Sequence, residues 1–284
     1  MKHDVRDSAE LSYEPCRYGV SRIFFRGPKR DLGQPYLAFL GGTETFGKFI
    51  DEPFPAQLEQ MLGRPCVNFG CVNGGVDAFM NDPTVMNACR DADLTVLQVM
   101  GAHNLSNRFY SVHPRRNDRF VRASSVLQAI YSEVDFSEFT FTRHMLGALY
   151  DVSPERFEAV VTELREAWSA RMRTMLDHIG RRSILLWFSR DPLTNARWQD
   201  RDSPFSADAL FVTRDMVDGL RDLVGEVCVV HPSAAAEAEG TNGMSFPPMQ
   251  ARAAADMLGV AAHREVAETL APSLRKALLQ IARA

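Results

Sequence analysis

The stretch LAFLGGTETFG, residues 37–47, decides the fold prediction. It passes from four apolar or small residues directly into a glycine pair and then into a cluster of hydroxyl side chains. A short apolar run of this kind is typical of a buried strand, and glycine permits the tight turn and the close backbone approach that commonly follow such a strand. We therefore predict a strand that ends in a turn, with Thr43 and Thr45 just beyond it.

Four further apolar runs predict strands of the same kind. Their hydrophobicity is continuous rather than alternating, which favours a parallel sheet that is covered on both faces. The first predicted strand is YLAFL (36–40). The four further runs are CVNF (66–69), LTVLQVM (94–100), SILLWF (183–188) and VCVVH (227–231). Helical patterns at 54–62, 153–179 and 208–224 lie between the runs and complete a doubly wound α/β fold with a mainly parallel, five-stranded sheet.

The length of the chain predicts one domain with an elaboration. At 284 residues and 45% hydrophobic composition, it is long enough to bury one large core, so we predict a single α/β/α domain over 1–284. About 80 residues separate the third run from the fourth, far more than one crossover helix needs. We predict that residues 101–180 form a helical insertion or lid, in which Ser153 caps a long helix that ends at Gly180.

Composition excludes several classes of function. The formal charge of −4 argues against a general nucleic-acid binder. Five cysteines without a CxxC pair indicate neither a disulfide framework nor a zinc site, so we predict no metal and a reducing, cytoplasmic location. No stretch approaches the length of a membrane span, and no secretory signal opens the chain. Neither GxGxxG nor GxxxxGK[ST] occurs, so no cofactor is predicted.

Three glycine-led turns follow the first three predicted strands. They are GGTETFG (41–47), GCVNGG (70–75) and GAHN (101–104). In a doubly wound sheet the carboxyl ends of the strands meet at one edge, where ligands bind. We therefore expect these three turns to surround one pocket.

In these turns the sequence resembles the SGNH (GDSL-like) hydrolases, a superfamily of flavodoxin-like, three-layer α/β/α esterases, lipases, acetyl-ester carbohydrate esterases and acyltransferases. Their first block, G-D-S-x-[ST]-x-G, is similar to GGTETFG, and this resemblance implies that Thr43 stands at the position of the nucleophilic serine. The oxyanion-hole glycine of the second block corresponds to Gly70 or Gly74. The third block, G-x-N-D, is similar to GAHN with one extra residue, and implies that Asn104 supplies the oxyanion-hole amide.

The same resemblance nominates two histidines as the catalytic base. The segment GVAAHREVAETLAPSL is similar to the start of the family's final helix and nominates His263, with Val260 in the place of the orienting aspartate. The alternative is His231 at the end of the fifth run. Gly42 stands in the place of the first-block aspartate, and Glu44 is a candidate for the missing carboxylate. The chain also resembles an uncharacterised bacterial family through GCVNGGVDAF and NLSNRFYSVHPRRNDRF.

A basic segment follows the third strand. Residues 104–125 contain five arginines and a single acidic residue, Asp118. Arginine binds carboxylate, phosphate or sulfate through a pair of hydrogen bonds, so the segment is suited to an anionic ligand, although a solvated surface loop is an equally simple interpretation. Together with Glu44, the predicted substrate-binding residues are Asn73, Asn107, Arg115, Arg116 and Arg119. We interpret the isolated His103 as a structural residue.

These patterns predict an SGNH-like esterase or acyltransferase that acts on an acylated carbohydrate or another anionic small substrate. A hydroxyl nucleophile needs a neighbouring base, and the base usually needs a third group that orients it. Because the expected aspartates are absent, the alternative is a noncatalytic protein that binds an anionic sugar, sulfate or phosphate in the same pocket. Neither interpretation includes a nucleic acid or a membrane as a partner.

Overall fold

The structure, a computed structural model, describes residues 11–200, 204–206 and 209–282. Five parallel strands form one sheet in the order β2-β1-β3-β6-β7, and two antiparallel strands, β4 and β5, form a hairpin. The strands are β1 (Leu37–Gly41), β2 (Cys66–Gly70), β3 (Leu94–Gln98), β4 (Tyr110–His113), β5 (Arg116–Ala123), β6 (Ser183–Phe188) and β7 (Glu226–Val230). This is the predicted doubly wound α/β fold.

Eleven α-helices lie in the described part of the chain, and none of them is long and apolar enough to cross a membrane. They are α1 (Thr43–Phe46), α2 (Phe54–Leu62), α3 (Val76–Met80), α4 (Pro83–Asp91), α5 (Ser125–Ile130), α6 (Thr142–Val152), α7 (Pro154–Ile179), α8 (Arg214–Asp218), α9 (Ala234–Glu239), α10 (Ala251–Ala255) and α11 (Val260–Ile281).

Alternation along the strands divides the apolar side chains between two cores. Ala38 and Leu40 of β1 point into the core that the sheet shares with α4 and α7. Leu37 and Phe39 point into the opposite core, which α2 and α11 cover. Because successive side chains of a strand face opposite sides of the sheet, continuous apolar runs are what a sheet between two helical layers requires, and the three-layer α/β/α arrangement follows.

Local signals fix the long helix α7. The Ser153 hydroxyl accepts a hydrogen bond from the Arg156 N–H, Pro154 occupies the first helical position, and Gly180 ends the helix. The apolar face of α7 is buried from Phe157 to Ile179. The predicted bounds of this helix are confirmed.

The segment between β3 and β6 is less purely helical than predicted. It begins with the β4–β5 hairpin and continues through α5, α6 and α7. The register of the hairpin shifts on both sides of Val112, and β5 carries three arginines, so the segment lacks the regular alternation that identifies a strand pair.

The helical pattern at 208–224 also yields less helix than expected. In the described residues it yields only α8, which is capped by the Thr213 side chain and ends at Gly219, and a short 3₁₀ turn. Asp208 lies outside the described residues. Helix α8 is short because its cap and its terminating glycine are only six positions apart.

Candidate functional site

A cavity lies at the carboxyl edge of the sheet, beside the ends of β1, β3 and β6. It is located where the strand order reverses between β1 and β3, the usual ligand position in such folds. Five predicted site residues line it, namely Thr43, Glu44, Asn73, Gly74 and Asn104. Further lining residues include Gln98, Met100, His103, Arg143, Ser189 and Met257. The turns after the first three strands therefore surround one cavity.

The turn between β1 and α1 is held by the buried side chain of Gln98. Its Oε1 accepts hydrogen bonds from the Gly42 N–H at 3.2 Å, the Thr45 N–H at 3.1 Å and the Thr45 hydroxyl at 2.6 Å. A Cβ atom at Gly41 would overlap the Gln98 side chain, so glycine is required for this close approach. The polar end of the apolar run LTVLQVM was the available sequence signal for Gln98.

Thr43 is the first residue of α1, and its hydroxyl lies against Asn73. Thr43 Oγ1 accepts a hydrogen bond from the Asn73 N–H at 2.9 Å, and the Thr43 hydroxyl donates one to Asn73 Oδ1 at 3.4 Å. Asn73 has a left-handed backbone with φ +56°, a conformation that asparagine tolerates better than most residues. The hydroxyl that was predicted to be a nucleophile is thus bonded to the turn after β2, and no imidazole within the described ranges forms a hydrogen bond with it.

The hairpin contributes a second buried amide, Asn117, which supports the turn after β2. Asn117 is fully buried, and its Oδ1 accepts hydrogen bonds from the Gly75 N–H at 2.9 Å and the Ala78 N–H at 3.0 Å. The neighbouring Asp118 accepts a hydrogen bond from Asn73 Nδ2 at 3.1 Å. The β4–β5 hairpin therefore fixes the position of Asn73, a role that the charged sequence of β5 gave no reason to expect.

Asn104 follows β3 and lies in the wall of the cavity. Its Oδ1 accepts a hydrogen bond from the Thr142 hydroxyl at 2.7 Å. Its backbone lies against Gly75, where a Cβ atom would overlap the Asn104 carbonyl oxygen. Among the described residues none accepts a hydrogen bond from Asn104 Nδ2, so the amide keeps a donor for a ligand.

The two glycines that were predicted as oxyanion donors have engaged backbone amides. The Gly74 N–H donates to the Cys71 carbonyl oxygen at 2.9 Å, and the Gly70 N–H donates to Asn68 Oδ1 at 2.8 Å. Gly74 lines the cavity, whereas Gly70 does not. A donor role for either amide would require its present bond to break, and it stays a prediction.

His263 lies in the apolar core beneath the cavity, packed beside the rings of Phe54 and Phe188. Its Nδ1 accepts a hydrogen bond from the Phe54 N–H at 3.2 Å, which places the proton of the neutral ring on Nε2. That atom lies 3.8 Å from Glu44 Oε2. Burial, with a smaller contribution from the charge of Arg26, lowers the pKa of His263 to about 3. His263 is therefore a neutral neighbour of Glu44 and is not part of the cavity lining.

Glu44 lies between this core and the cavity. Its side chain is almost completely buried, and burial raises its pKa to about 7, against the opposing effects of the Arg190 charge and a hydrogen bond from the Leu258 backbone. A carboxyl group that titrates near neutral pH in a cavity is a common feature of functional sites.

His231, the alternative base, is exposed at the end of β7. Its Nδ1 lies 3.0 Å from the Ser189 carbonyl oxygen, and the residue does not line the cavity. His231 therefore contacts the backbone of a lining residue, Ser189, and does not itself face the cavity.

The remaining predicted binding residues lie elsewhere. Asn107 stabilises its own loop, where Oδ1 accepts hydrogen bonds from the Phe109 and Tyr110 N–H groups. Arg115 and Arg116 are exposed at the tip of the hairpin, and the Arg119 guanidinium lies 5.3 Å from the centre of the Phe141 ring. None of these four residues lines the cavity. The charged side chain that does line it from the insertion is Arg143, at the start of α6.

His103, which the sequence analysis interprets as a structural residue, also lines the cavity. It is 5% exposed, and its Nδ1 is buried without a hydrogen-bond partner among the described residues. Burial, assisted by the charge of Arg143, lowers its pKa well below the ordinary value of 6.5. The signal that pointed to it was the extra residue of GAHN relative to G-x-N-D, since the inserted position brings a histidine next to Asn104.

No group of three or more histidine, cysteine, aspartate or glutamate side chains within the described ranges is arranged to hold a metal ion. The polar groups of the cavity are hydroxyl, amide, imidazole, carboxyl and guanidinium groups. This set of groups is suited to a small molecule rich in oxygen atoms.

Comparison with known proteins gives a family and remote similarities of fold. No curated protein matches the sequence significantly. Among solved structures, a lipase from a goat rumen metagenome is 12% identical, with a TM-score of 0.38 and coverage of 86% of this chain and 97% of that one. A protein from Lactobacillus plantarum is also 12% identical, with a TM-score of 0.38 and coverage of 85% and 97%. A gut microbial diltiazem-metabolizing enzyme is 12% identical, with a TM-score of 0.35, and matches 86% of this chain but 46% of its own length. Residues 1–278 match the family model described as a domain of unknown function, DUF6473, and the chain therefore belongs to that family.

Proposed function

We propose that the cavity at the carboxyl edge of the sheet catalyses SGNH-like ester hydrolysis or acyl transfer on an acylated carbohydrate or another anionic small molecule, with Thr43 as the nucleophile. The observation that carries the proposal is the presence of the Thr43 hydroxyl and the Asn104 amide in one cavity where the strand order reverses. A hydroxyl at the start of the helix that follows a strand and a side-chain amide from a neighbouring turn are suited to attack on a carbonyl carbon and to stabilisation of the resulting oxyanion.

In this reaction Thr43 Oγ1 forms a bond to the ester carbonyl carbon and gives its proton to a base. The negative charge that develops on the carbonyl oxygen is stabilised by Asn104 Nδ2 and by the Thr43 N–H, which lies in the first turn of α1 where helical N–H groups lack an intrahelical acceptor. Collapse of the intermediate breaks the ester C–O bond, and the alcohol leaves with a proton. Water then releases the acyl group as an acid, or a second hydroxyl compound accepts it.

Asn73 has to release the nucleophile in part during attack. Its N–H donates to Thr43 Oγ1 and occupies one lone pair of the hydroxyl oxygen, while its Oδ1 accepts the hydroxyl proton at 3.4 Å, so this longer bond has to break before the proton can reach a base. The threonine methyl group restricts the side-chain rotamer and crowds the approach of a substrate. We therefore expect Thr43→Ser to be at least as active as the natural chain.

The test is hydrolysis of short p-nitrophenyl esters and acetylated sugars by the purified chain, by Thr43→Ala and by Thr43→Ser. Thr269→Ala serves as the matched control, because Thr269 is exposed on α11 and does not line the cavity. We expect Thr43→Ala to abolish turnover, Thr269→Ala to retain it, and Asn104→Ala to lower kcat by about 100- to 1,000-fold. Equal rates for the natural chain and Thr43→Ala would reject Thr43 as a nucleophile.

A second candidate function is noncatalytic binding of an anionic sugar, sulfate or phosphate in the same cavity. The observation that favours it is the hydrogen bonding of Thr43, whose hydroxyl contacts Asn73 rather than a histidine. A ligand that binds only the folded state at about 100 times its Kd adds about 2.7 kcal/mol to the free energy of unfolding. A clear rise in Tm with sulfate or a sugar phosphate, without turnover of any ester, would favour binding over catalysis.

A further inference from the structure

His103 is the only histidine among the described residues that line the cavity. Both histidines nominated by sequence resemblance lie outside that lining, His263 in the core and His231 on the surface. His103 and Thr43 instead line the same cavity, together with Asn104. Among the described residues the imidazole in the cavity lining thus comes from the turn after β3 rather than from the C-terminal helix.

The backbone around His103 holds the ring in place. The His103 carbonyl oxygen accepts a hydrogen bond from the Tyr110 hydroxyl at 2.6 Å, and the preceding Ala102 N–H donates to the Leu210 carbonyl oxygen at 2.9 Å. A Cβ atom at Gly101 would lie 2.7 Å from His103 Nδ1 and 2.9 Å from its Cε1. The Nδ1 edge of the ring therefore rests on the Gly101 backbone, which leaves Nε2 as the nitrogen that can face a reactant.

We propose that His103 is the general base that accepts the Thr43 hydroxyl proton, directly or through one water molecule, during attack on an ester. This inference rests on the proposed function. The Thr43 O–H bond breaks as the bond from Oγ1 to the carbonyl carbon forms, and the proton moves to the lone pair of His103. When the ester C–O bond breaks, the imidazolium returns this proton to the departing alcohol oxygen, so the ring is neutral again before water or an acceptor hydroxyl attacks.

The charge state of the free site agrees with this role. Because burial and Arg143 lower the pKa of His103, the ring is neutral at pH 7 and its nitrogen lone pair is available. The other titratable group in the lining is the Glu44 carboxyl, and Arg143 carries the remaining charge. A positioned general base typically contributes about 100- to 10,000-fold to the rate of a reaction, and it is most effective when its pKa lies near the working pH.

The test compares ester turnover by His103→Gln and His103→Ala with that of the natural chain. His178→Gln, at an exposed position near the end of α7, is the matched control. We expect the two His103 variants to lose about 100- to 10,000-fold in kcat/KM, His178→Gln to lose nothing, and added imidazole to restore turnover to His103→Ala. Rescue by free imidazole distinguishes a lost base from a disturbed fold. Gly101→Ala, which retains the imidazole but displaces it, is the second variant and should also lower kcat.

The outcomes separate the two proposals. Turnover that disappears in Thr43→Ala but stays within about threefold of the natural rate in folded His103→Gln would overturn the role of His103 and leave the proposed function intact. A loss of turnover in His103→Ala and Gly101→Ala that imidazole does not restore to His103→Ala would also overturn it. Turnover that is insensitive to Thr43→Ala would overturn the proposed function, and the role of His103 with it.

Discussion

Replacement of Glu44 by glutamine should make the chain more stable relative to the natural protein as the pH rises. Glu44 is 6% exposed, it accepts a hydrogen bond from the Leu258 N–H, and its Oε2 lies 3.8 Å from His263 Nε2. Burial penalises the charged carboxylate more than the Arg190 charge and the Leu258 bond stabilise it, so the pKa rises from 4.5 to about 7. Glutamine has nearly the same shape and carries no charge at any pH.

The sign and size of the effect follow from proton linkage. Because the folded-state pKa of Glu44 is raised, its contribution to stability is fully present below pH 4.5 and is lost as the pH rises through about 7. At about 1.4 kcal/mol for each pKa unit, the whole loss is about 3 kcal/mol. Between about pH 5 and about pH 8, the free energy of unfolding of Glu44→Gln should therefore rise by about 2 to 3 kcal/mol relative to the natural chain.

Urea unfolding followed by circular dichroism and tryptophan fluorescence at several pH values measures this difference. Glu268→Gln, at an exposed position on α11, is the matched control and should show no change of the difference with pH. Subtraction of the two curves at each pH removes the contributions of all other titrating groups. A difference between natural chain and Glu44→Gln that is constant with pH, or that falls as the pH rises, would refute the assignment of a raised pKa to this carboxyl.

Four further substitutions, with Gly147→Ala as a control for the first, test the parts of the structure that support the site and its fold. Gly70→Ala should destabilise the fold by at least about 1 to 3 kcal/mol, because the new Cβ would overlap the backbone of α1. At Gly147 on α6 a new Cβ meets no atom within 4 Å, so Gly147→Ala should be neutral or stabilising by up to about 1 kcal/mol. Asn117→Ala leaves two backbone N–H groups without an acceptor and should cost about 2 to 6 kcal/mol in urea unfolding. Ser153→Ala removes the cap of α7 and should cost about 0.5 to 2 kcal/mol in the same assay. His263→Gln should reduce the loss of stability on acidification, because the lowered pKa of His263 makes the natural chain lose stability as the pH falls from 6.5 towards about 3.

The sheet and its order of elements were predictable because a strand that is buried on both faces requires a continuous run of apolar residues, which is visible in the sequence. Strand β1 shows this, since the side chains on both of its faces are apolar and those of each face pack into a different core. Helix α7 was predictable for a local reason, namely a cap at Ser153 and a stop at Gly180 that flank a regular apolar face. The meeting of the glycine turns at one edge follows from the geometry of parallel strands.

The supports of the site were not predictable because they depend on contacts that are distant along the chain. Gln98 reaches back 56 residues to the Gly42 N–H, and Asn117 reaches back 42 residues to the Gly75 N–H. Nothing in the sequence around Gln98 or Asn117 indicates whether the side-chain amide forms such a long-range hydrogen bond or is exposed to solvent. The position of His263 was not predictable for a related reason. Resemblance to a helix start nominated this residue, but the first turn of α11 places its ring beside Phe54 and Glu44, outside the cavity lining.

The two buried amides also define what catalysis at this site would require. Gln98 fixes the turn that carries Thr43, and Asn117 with Asp118 fixes the turn that carries Asn73, so the contact between Thr43 and Asn73 is held from both sides. A nucleophile held in this way can keep its hydrogen bond from the Asn73 N–H, but it has to give up the bond to Asn73 Oδ1 as its proton moves to a base. The base then has to come from the lining itself, and of the histidines in the described chain His103 alone meets that condition.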